Sequence, residues 1–195
     1  MRKIPWIFLL IATALLSLRA QSQTWEIDPA HTSVQFGVKH MVISEVTGKF
    51  HEFSGKVIIS EDDFTSAQIE GSAKIGSIDT GNERRDGHLK SEDFFYAEKY
   101  PEMTFKSTKV EKTGTDTYQI TGDLTIRGIT KTVVFDAKHG GTITAFGTQR
   151  MGWQATTTIN RFDFGLHWNK TIETGGFIVG DKIKINITAE FIKQD

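Results

Sequence analysis

The chain predicts an all-β fold of eight or so antiparallel strands, on three observations. Apolar and polar residues alternate with period two near both ends of the sequence, and turn-forming clusters of Gly, Asp, Asn and Thr recur at short, fairly even intervals. Beyond the first two dozen residues the only prolines, Pro29 and Pro101, stand where strands are expected to begin.

The first segment, MRKIPWIFLLIATALLSLRAQSQ, is set apart from the fold. Arg2 and Lys3 precede an apolar run from Ile7 to Leu16, and small residues follow at Ala20 and Ser22. That is the layout of a secretory signal peptide, and the run is shorter than the roughly 20 residues a membrane span needs. Residues 1–22 are therefore expected to be cleaved, after Ala20 or Ser22. Residues 23–195 are expected to form one domain placed in the periplasm or secreted. Removing Arg2, Lys3 and Arg19 leaves 20 basic residues against 24 acidic ones, a formal charge of −4. A nucleic-acid partner, which would call for a basic stripe, is not expected. The chain has no cysteine, so in an oxidising compartment the core must hold the fold without disulfides.

In chain order, Val34, Phe36, Val38 and His40 form the apolar face of a first strand, against Ser33, Gln35, Gly37 and Lys39. FHEFSGKVII, SAKIGSI, EMTFKSTKV, YQITGDLTI, TVVFDAK, TITAFG and MGWQATTTI follow as further strands. The last, DKIKINITAEF, alternates most cleanly, with Ile183, Ile185, Ile187, Ala189 and Phe191 on one side and Lys182, Lys184, Asn186, Thr188 and Glu190 on the other. Such strands close into a barrel able to enclose one ligand, or stack as a sandwich with a filled interior; period alone does not separate the two.

ERRDGHLKSEDFF, Glu83 to Phe95, interrupts the alternation. Asp86 and Ser91 are placed to cap one or two short helical turns, with Leu89, Phe94 and Phe95 turned inward as an end plug. A catalytic reading would pair His88 with Asp86, or hold a metal with His31, His40 and His51, but neither has a standard spacing. No catalytic residue, metal or cofactor is expected. INRFDFGLHW, Ile159 to Trp168, reads as a corner in which Asn160 bonds local backbone and Arg161 pairs with an acid.

WEIDPAHTSVQFGVKHMVISEVTGKFHEFSG, IDTGNERRDGHLKSEDFFYAEKYPEMTF, GDLTIRGITKTVVFDAK and TTTINRFDFGL occur here in the order seen in the YceI-like family, and the chain resembles that family over essentially its whole mature length. Thr132 departs from the pattern, standing where many relatives have proline. The resemblance implies a single extended, eight-stranded, lipocalin-like antiparallel barrel, with binding or transport of a polyisoprenoid or similar long apolar lipid in its tunnel and no established catalysis. By alternation and position, Phe36, Val38, His40, Phe94, Phe95, Phe105, Leu124, Ile126, Trp153, Ile183 and Ile185 are the candidate tunnel lining, with Arg85 and His88 as a polar rim. A transient membrane contact and a homodimer are further expectations. The competing readings are a His- or metal-dependent hydrolase-like barrel and a structural barrel with a filled core.

Overall fold

The computed structural model describes residues 22–60, 63–171, 173 and 175–194, so the expected signal segment lies outside the described residues except for Ser22. In chain order the strands are β1 (Ser22–Ile27), β2 (Ser33–His40), β3 (Ser44–Phe50), β4 (Phe53–Ser60), β5 (Asp63–Lys74), β6 (Ile78–Asp79), β7 (Glu102–Lys112), β8 (Thr117–Ile126), β9 (Ile129–Ala145), β10 (Thr148–Asn160) and β11 (Val179–Lys193). An α-helix, α1 (Glu83–Lys90), stands between β6 and β7.

Every pairing is antiparallel, and the ladder closes. β1 and β2 both pair with β11, Trp25 opposite Lys193 and Phe36 opposite Ile185, so they are two halves of one bent strand. β3 and β4 form the next bent strand, β3 against β2 and β4 against β1. The order then runs β4, β5, β7, β8, β9, β10, β11 and back to β1, giving a closed barrel of eight strands rather than a sandwich. Closure removes the free edges that would otherwise invite pairing with another chain.

The bends have local causes. At the first, Pro29 opens a short 3-10 turn over Pro29–His31, and the Asp28 carboxylate accepts from Ala30 N at 3.0 Å. Pro29 thus starts a corner and not the strand expected of it, because a residue without an N–H fits the first turn. Pro101 does precede a strand, and its carbonyl accepts from Ile75 N at 2.9 Å. TVVFDAK and TITAFG are one 17-residue strand, β9, and not two. The intervening Gly140-Gly141 marks a shift of register opposite Gly152 and Trp153, with Gly141 at φ 118°, a backbone irregularity only glycine tolerates cheaply. Thr132 sits inside the same strand and donates to Asp123 Oδ1 at 3.0 Å.

The segment from Thr80 to Pro101 covers one end of the barrel. Its helix is capped by Asn82, whose side chain accepts from Arg85 N at 3.0 Å. Asp86, expected as the cap, instead lies within the first turn and accepts from both Thr80 N and the Thr80 hydroxyl, at 2.9 and 2.5 Å. Ser91 closes the helix, its hydroxyl donating to His88 O. Beyond it Phe94 is buried with Leu124, Ile126, Ile159, Phe164 and Leu166, and Leu89 and Phe95 pack alongside. Burying a side chain of this size contributes roughly 1.5–3 kcal/mol. The plug is held to the β8–β9 hairpin by Arg127, which donates to Phe94 O at 2.8 Å and Gly165 O at 3.2 Å.

The corner after β10 corrects another expectation. Asn160 Oδ1 accepts from Phe162 N as predicted, but among the described residues Arg161 makes no salt bridge, and Asp181 acts on it only through its charge. Only 3% exposed, it donates to the carbonyls of Gly180, Leu166, Trp168 and Val179. Backbone that leaves the ladder at this corner has carbonyls to satisfy, and one guanidinium with its fork of donors satisfies four.

Candidate functional site: an apolar cavity in the barrel

Between the plug and the far end of the barrel lies a cavity of about 200 Å³. Its wall is built by alternation from every bent or straight strand of the barrel except β3 and β6. β4 and β5 contribute Phe53, Val57, Phe64, Ala67, Ile69 and Ala73; β7 to β9 contribute Met103, Phe105, Val110, Ile120, Leu124, Phe135 and Ala137. β10, β11 and the first bent strand add Trp153, Ala155, Ile185, Ile187, Ala189, Phe191, Ile27 and Val34. Glu70, Ser54 and Ser72 also border it, but their side chains point outward. The Glu70 carboxylate meets Lys106 at 3.1 Å and Lys56 at 3.6 Å, and the two serine hydroxyls bond each other at 2.9 Å.

They border the cavity because two glycines face inward there. Gly55 and Gly71 are Cα partners on β4 and β5; Ile27 packs over Gly55, its Cδ1 3.2 Å from where a Cβ would stand, while Gly71 leaves bare backbone facing the cavity. A Cβ built on Gly71 would find its nearest neighbour, Ser54 O, at 3.6 Å, an ordinary contact. The room beside Gly71 is therefore left by its missing side chain.

Of the candidate tunnel residues, Phe105, Leu124, Trp153 and Ile185 stand in the wall. Phe94, Phe95, Ile126 and Ile183 are placed in or against the packed plug. Phe36 lies outside the wall, its ring 5.8 Å from Phe50 in the cluster under the same cap. Val38 pairs with Val46 and Ile183, and His40 with Ser44 at the adjoining turn. Phe64, Ala67, Val57, Ile120 and Phe135 were missed as wall residues, although KVII, FTSAQI and TVVFDAK carry the alternation that would have found them.

The rim candidates make local bonds. Arg85 donates from Nε to the Thr80 hydroxyl and from a terminal nitrogen to Thr80 O, at 2.7 and 2.8 Å. His88 meets Asp93, not Asp86, at 2.8 Å, with its ring 4.8 Å from Trp168 and 5.0 Å from Phe94. His31, His40 and His51 do not converge: His31 bonds Asp28 and His51 bonds Asp79, each at 2.9 Å. Among the described residues, Asp28, His31 and Glu190 are the group close enough to share a cation. The Arg150 guanidinium already lies between the two acids, 2.8 Å from Asp28 and 2.5 Å from Glu190, where a metal ion would have to sit. His31 first, then Arg150, holds the Asp28 carboxyl down to about 2. Asp28 in turn raises the His31 imidazole above its usual value.

A closed antiparallel barrel around a cavity with no inward-facing charge defines the class: a lipocalin-like barrel. The YceI-like domain matches residues 25–191, and the chain belongs to that family. A UPF0312 protein of Staphylococcus aureus, SA2479, is 37% identical over 166 residues, covering 84% of this chain and 94% of the relative. Among solved structures, BcnA of Burkholderia cenocepacia superposes with a TM-score of 0.72 at 25% identity, covering 84% of this chain and 98% of that one. The YceI protein of Campylobacter jejuni gives 0.69 at 35% identity, covering 80% and 90%. A polyisoprenoid-binding domain from Saccharophagus degradans, at 13% identity, shares the fold with a TM-score of 0.64 over 86% of this chain and 97% of that one.

Proposed function

We propose that this protein binds the apolar chain of a polyisoprenoid or comparable long lipid, such as an isoprenoid quinone, fatty acid or fatty amide. It does so without catalysis, as a carrier or store in the periplasm or outside the cell. The observation that carries this reading is the cavity wall: apolar side chains on all sides, with the nearest charge, Glu70, turned outward to two lysines. A concave apolar site of this kind favours hydrocarbon over any polar ligand. The polyisoprenoid-binding domain from Saccharophagus degradans, which has the same fold, supports the ligand class. The signal-like start of the sequence supports the location. A transient membrane contact belongs to the same proposal: Val42, Ile43 and Phe177 are exposed, and Met41 N bonds Ile178 O, which brings these segments together. A homodimer is kept as a part of the proposal that sedimentation would decide.

Titration of the mature protein with prenols, quinones and fatty acids, followed by tryptophan fluorescence, tests the reading. Saturable binding of long-chain ligands, with polar short-chain analogues inert, is expected. Failure of every long-chain ligand to bind folded protein would overturn it.

A further inference from the structure

The cavity is too small for the ligands proposed. An apolar cavity of about 150 Å³ holds benzene, so one of about 200 Å³ has room for roughly eight carbon atoms. Both ends of the barrel are packed. Phe94, Phe164 and Leu166 fill the capped end, and Trp25, Ile59 and Met151 are buried toward the other. A longer chain needs an opening elsewhere.

The ladder has a weak place. β5 and β7 pair only over Glu70–Lys74 and Glu102–Lys106, although both strands continue. From Asp63 to Ile69 on one side and Ser107 to Lys112 on the other no ladder is formed. The bond found across this stretch among the described residues runs from Ile69 N to Ser107 Oγ, at 2.8 Å. The cause lies in β7, whose register against β8 shifts between Ser107 and Lys109, a bulge that bends a strand away from its other neighbour. β5 meanwhile keeps its opposite edge on β4, through Val57 and Ile58 and through Ser66 Oγ, which accepts from Ser60 N at 3.0 Å. Its inner face, Phe64, Ala67 and Ile69, is cavity wall.

We propose that the first half of β5 is a door: the seam between Asp63–Ile69 and Ser107–Lys112 opens to admit the apolar chain sideways. The inference rests on the binding function proposed above. Among the described residues, opening the seam breaks the Ile69–Ser107 hydrogen bond, parts Ala67 and Ile69 from the cluster of Val110, Tyr118 and Ile120, and swings Phe64 away from Trp153, His139 and Tyr118, whose rings lie 5.0, 4.7 and 6.0 Å from it. Opening the capped end would extract the buried Phe94 with Leu89 and Phe95 beside it, and break the Arg127 bond to Phe94 O. The seam is the easier route, and it leaves the polar end of the ligand outside, where the wall offers it no partner.

The natural chain has no cysteine, so Gln68→Cys with Lys109→Cys, both exposed and on opposite sides of the seam, gives a double variant that a flexible bismaleimide can bridge. Uptake of cis-parinaric acid, a fluorescent polyene fatty acid, is read in a stopped-flow instrument by energy transfer from tryptophan. The expected result is uptake at least tenfold slower in the bridged protein than in the same variant blocked with N-ethylmaleimide. Protein loaded before bridging should reach the same final signal. Ser107→Ala, which removes the bond across the seam, should take up the probe faster than the natural chain. Equal rates in bridged and blocked protein, with no change in Ser107→Ala, would overturn the door while leaving the binding function standing. No energy transfer in the natural chain at any probe concentration, together with no binding of prenols or quinones, would overturn both.

Discussion

Gly71→Leu should empty the site of ligand without unfolding the barrel. Gly71 faces inward, and its added Cβ meets nothing closer than 3.6 Å, so the leucine side chain projects into the cavity. Its four carbons would occupy about half of a space that holds roughly eight. At about 0.8 kcal/mol per buried methylene, displacing four ligand carbons removes about 3 kcal/mol, or roughly 200-fold in affinity. The protein itself gains roughly 1.5–3 kcal/mol from burying the leucine and loses about 1–3 kcal/mol if the wall must shift, so its stability should change little. Paired fluorescence titrations and urea denaturation would measure both. Gly76→Leu, in the exposed turn before β6 where a Cβ meets nothing within 4 Å, is the control for a general glycine effect. A folded Gly71→Leu protein that binds as tightly as the natural chain would refute the placement of the ligand in this cavity.

Three further outcomes concern the scaffold. Phe146 and Gly147 both have positive φ, 53° and 81°, in a two-residue hairpin that favours Asn-Gly, and the Phe146 side chain is fully exposed. Phe146→Asn should therefore raise stability by about 1 kcal/mol, read as a higher urea midpoint, and no gain would contradict the turn assignment. Arg161→Met should cost about 3 kcal/mol or more by taking the guanidinium from the carbonyls of Gly180, Leu166 and Trp168, while Val179 O keeps its bond from Asn169 Nδ2 at 2.8 Å, a loss that thermal unfolding would show. Asp28→Asn should reveal the pH dependence of the Asp28–His31–Arg150 cluster. Asp28 titrates at about 2 when folded against 3.8 otherwise, so its contribution is complete above about 4 and is lost as pH falls through 2. The His31 imidazole is raised from 6.5, so its contribution is present below that value and disappears as pH rises through the higher folded one. The stability difference between the two proteins should thus be largest between about pH 4 and 6.5, and a flat difference across the range would contradict it.

Particular residues show how far the sequence can be read. Ile183 to Phe191 announces a half-buried strand by strict alternation, and the structure places it as the strand on which the barrel closes. Alternation says which side chains face inward, and does not say what they meet there. Phe36 and Ile185 sit opposite each other on neighbouring strands with the same phase, yet Ile185 borders empty space while Phe36 packs on Phe50. The difference comes from the plug, which fills one end and whose depth no periodicity encodes. Gly55 and Gly71 were hidden for a related reason. Each alone reads as a turn or a weak point in a strand, and only the fold shows that Ile27 covers Gly55 while Gly71, its partner across the β4–β5 ladder, opens on the cavity. Arg161 looked like half of an ion pair, since burial and four carbonyl acceptors are properties of the folded corner.

The most direct test of the central claim is native mass spectrometry of the mature protein purified from the organism that makes it, with solvent extraction of whatever it carries. A long-chain apolar molecule bound in one-to-one ratio, released by solvent and absent from Gly71→Leu prepared in the same way, is the predicted result. Protein that emerges empty, and remains empty after exposure to prenols, quinones and fatty amides, would contradict it.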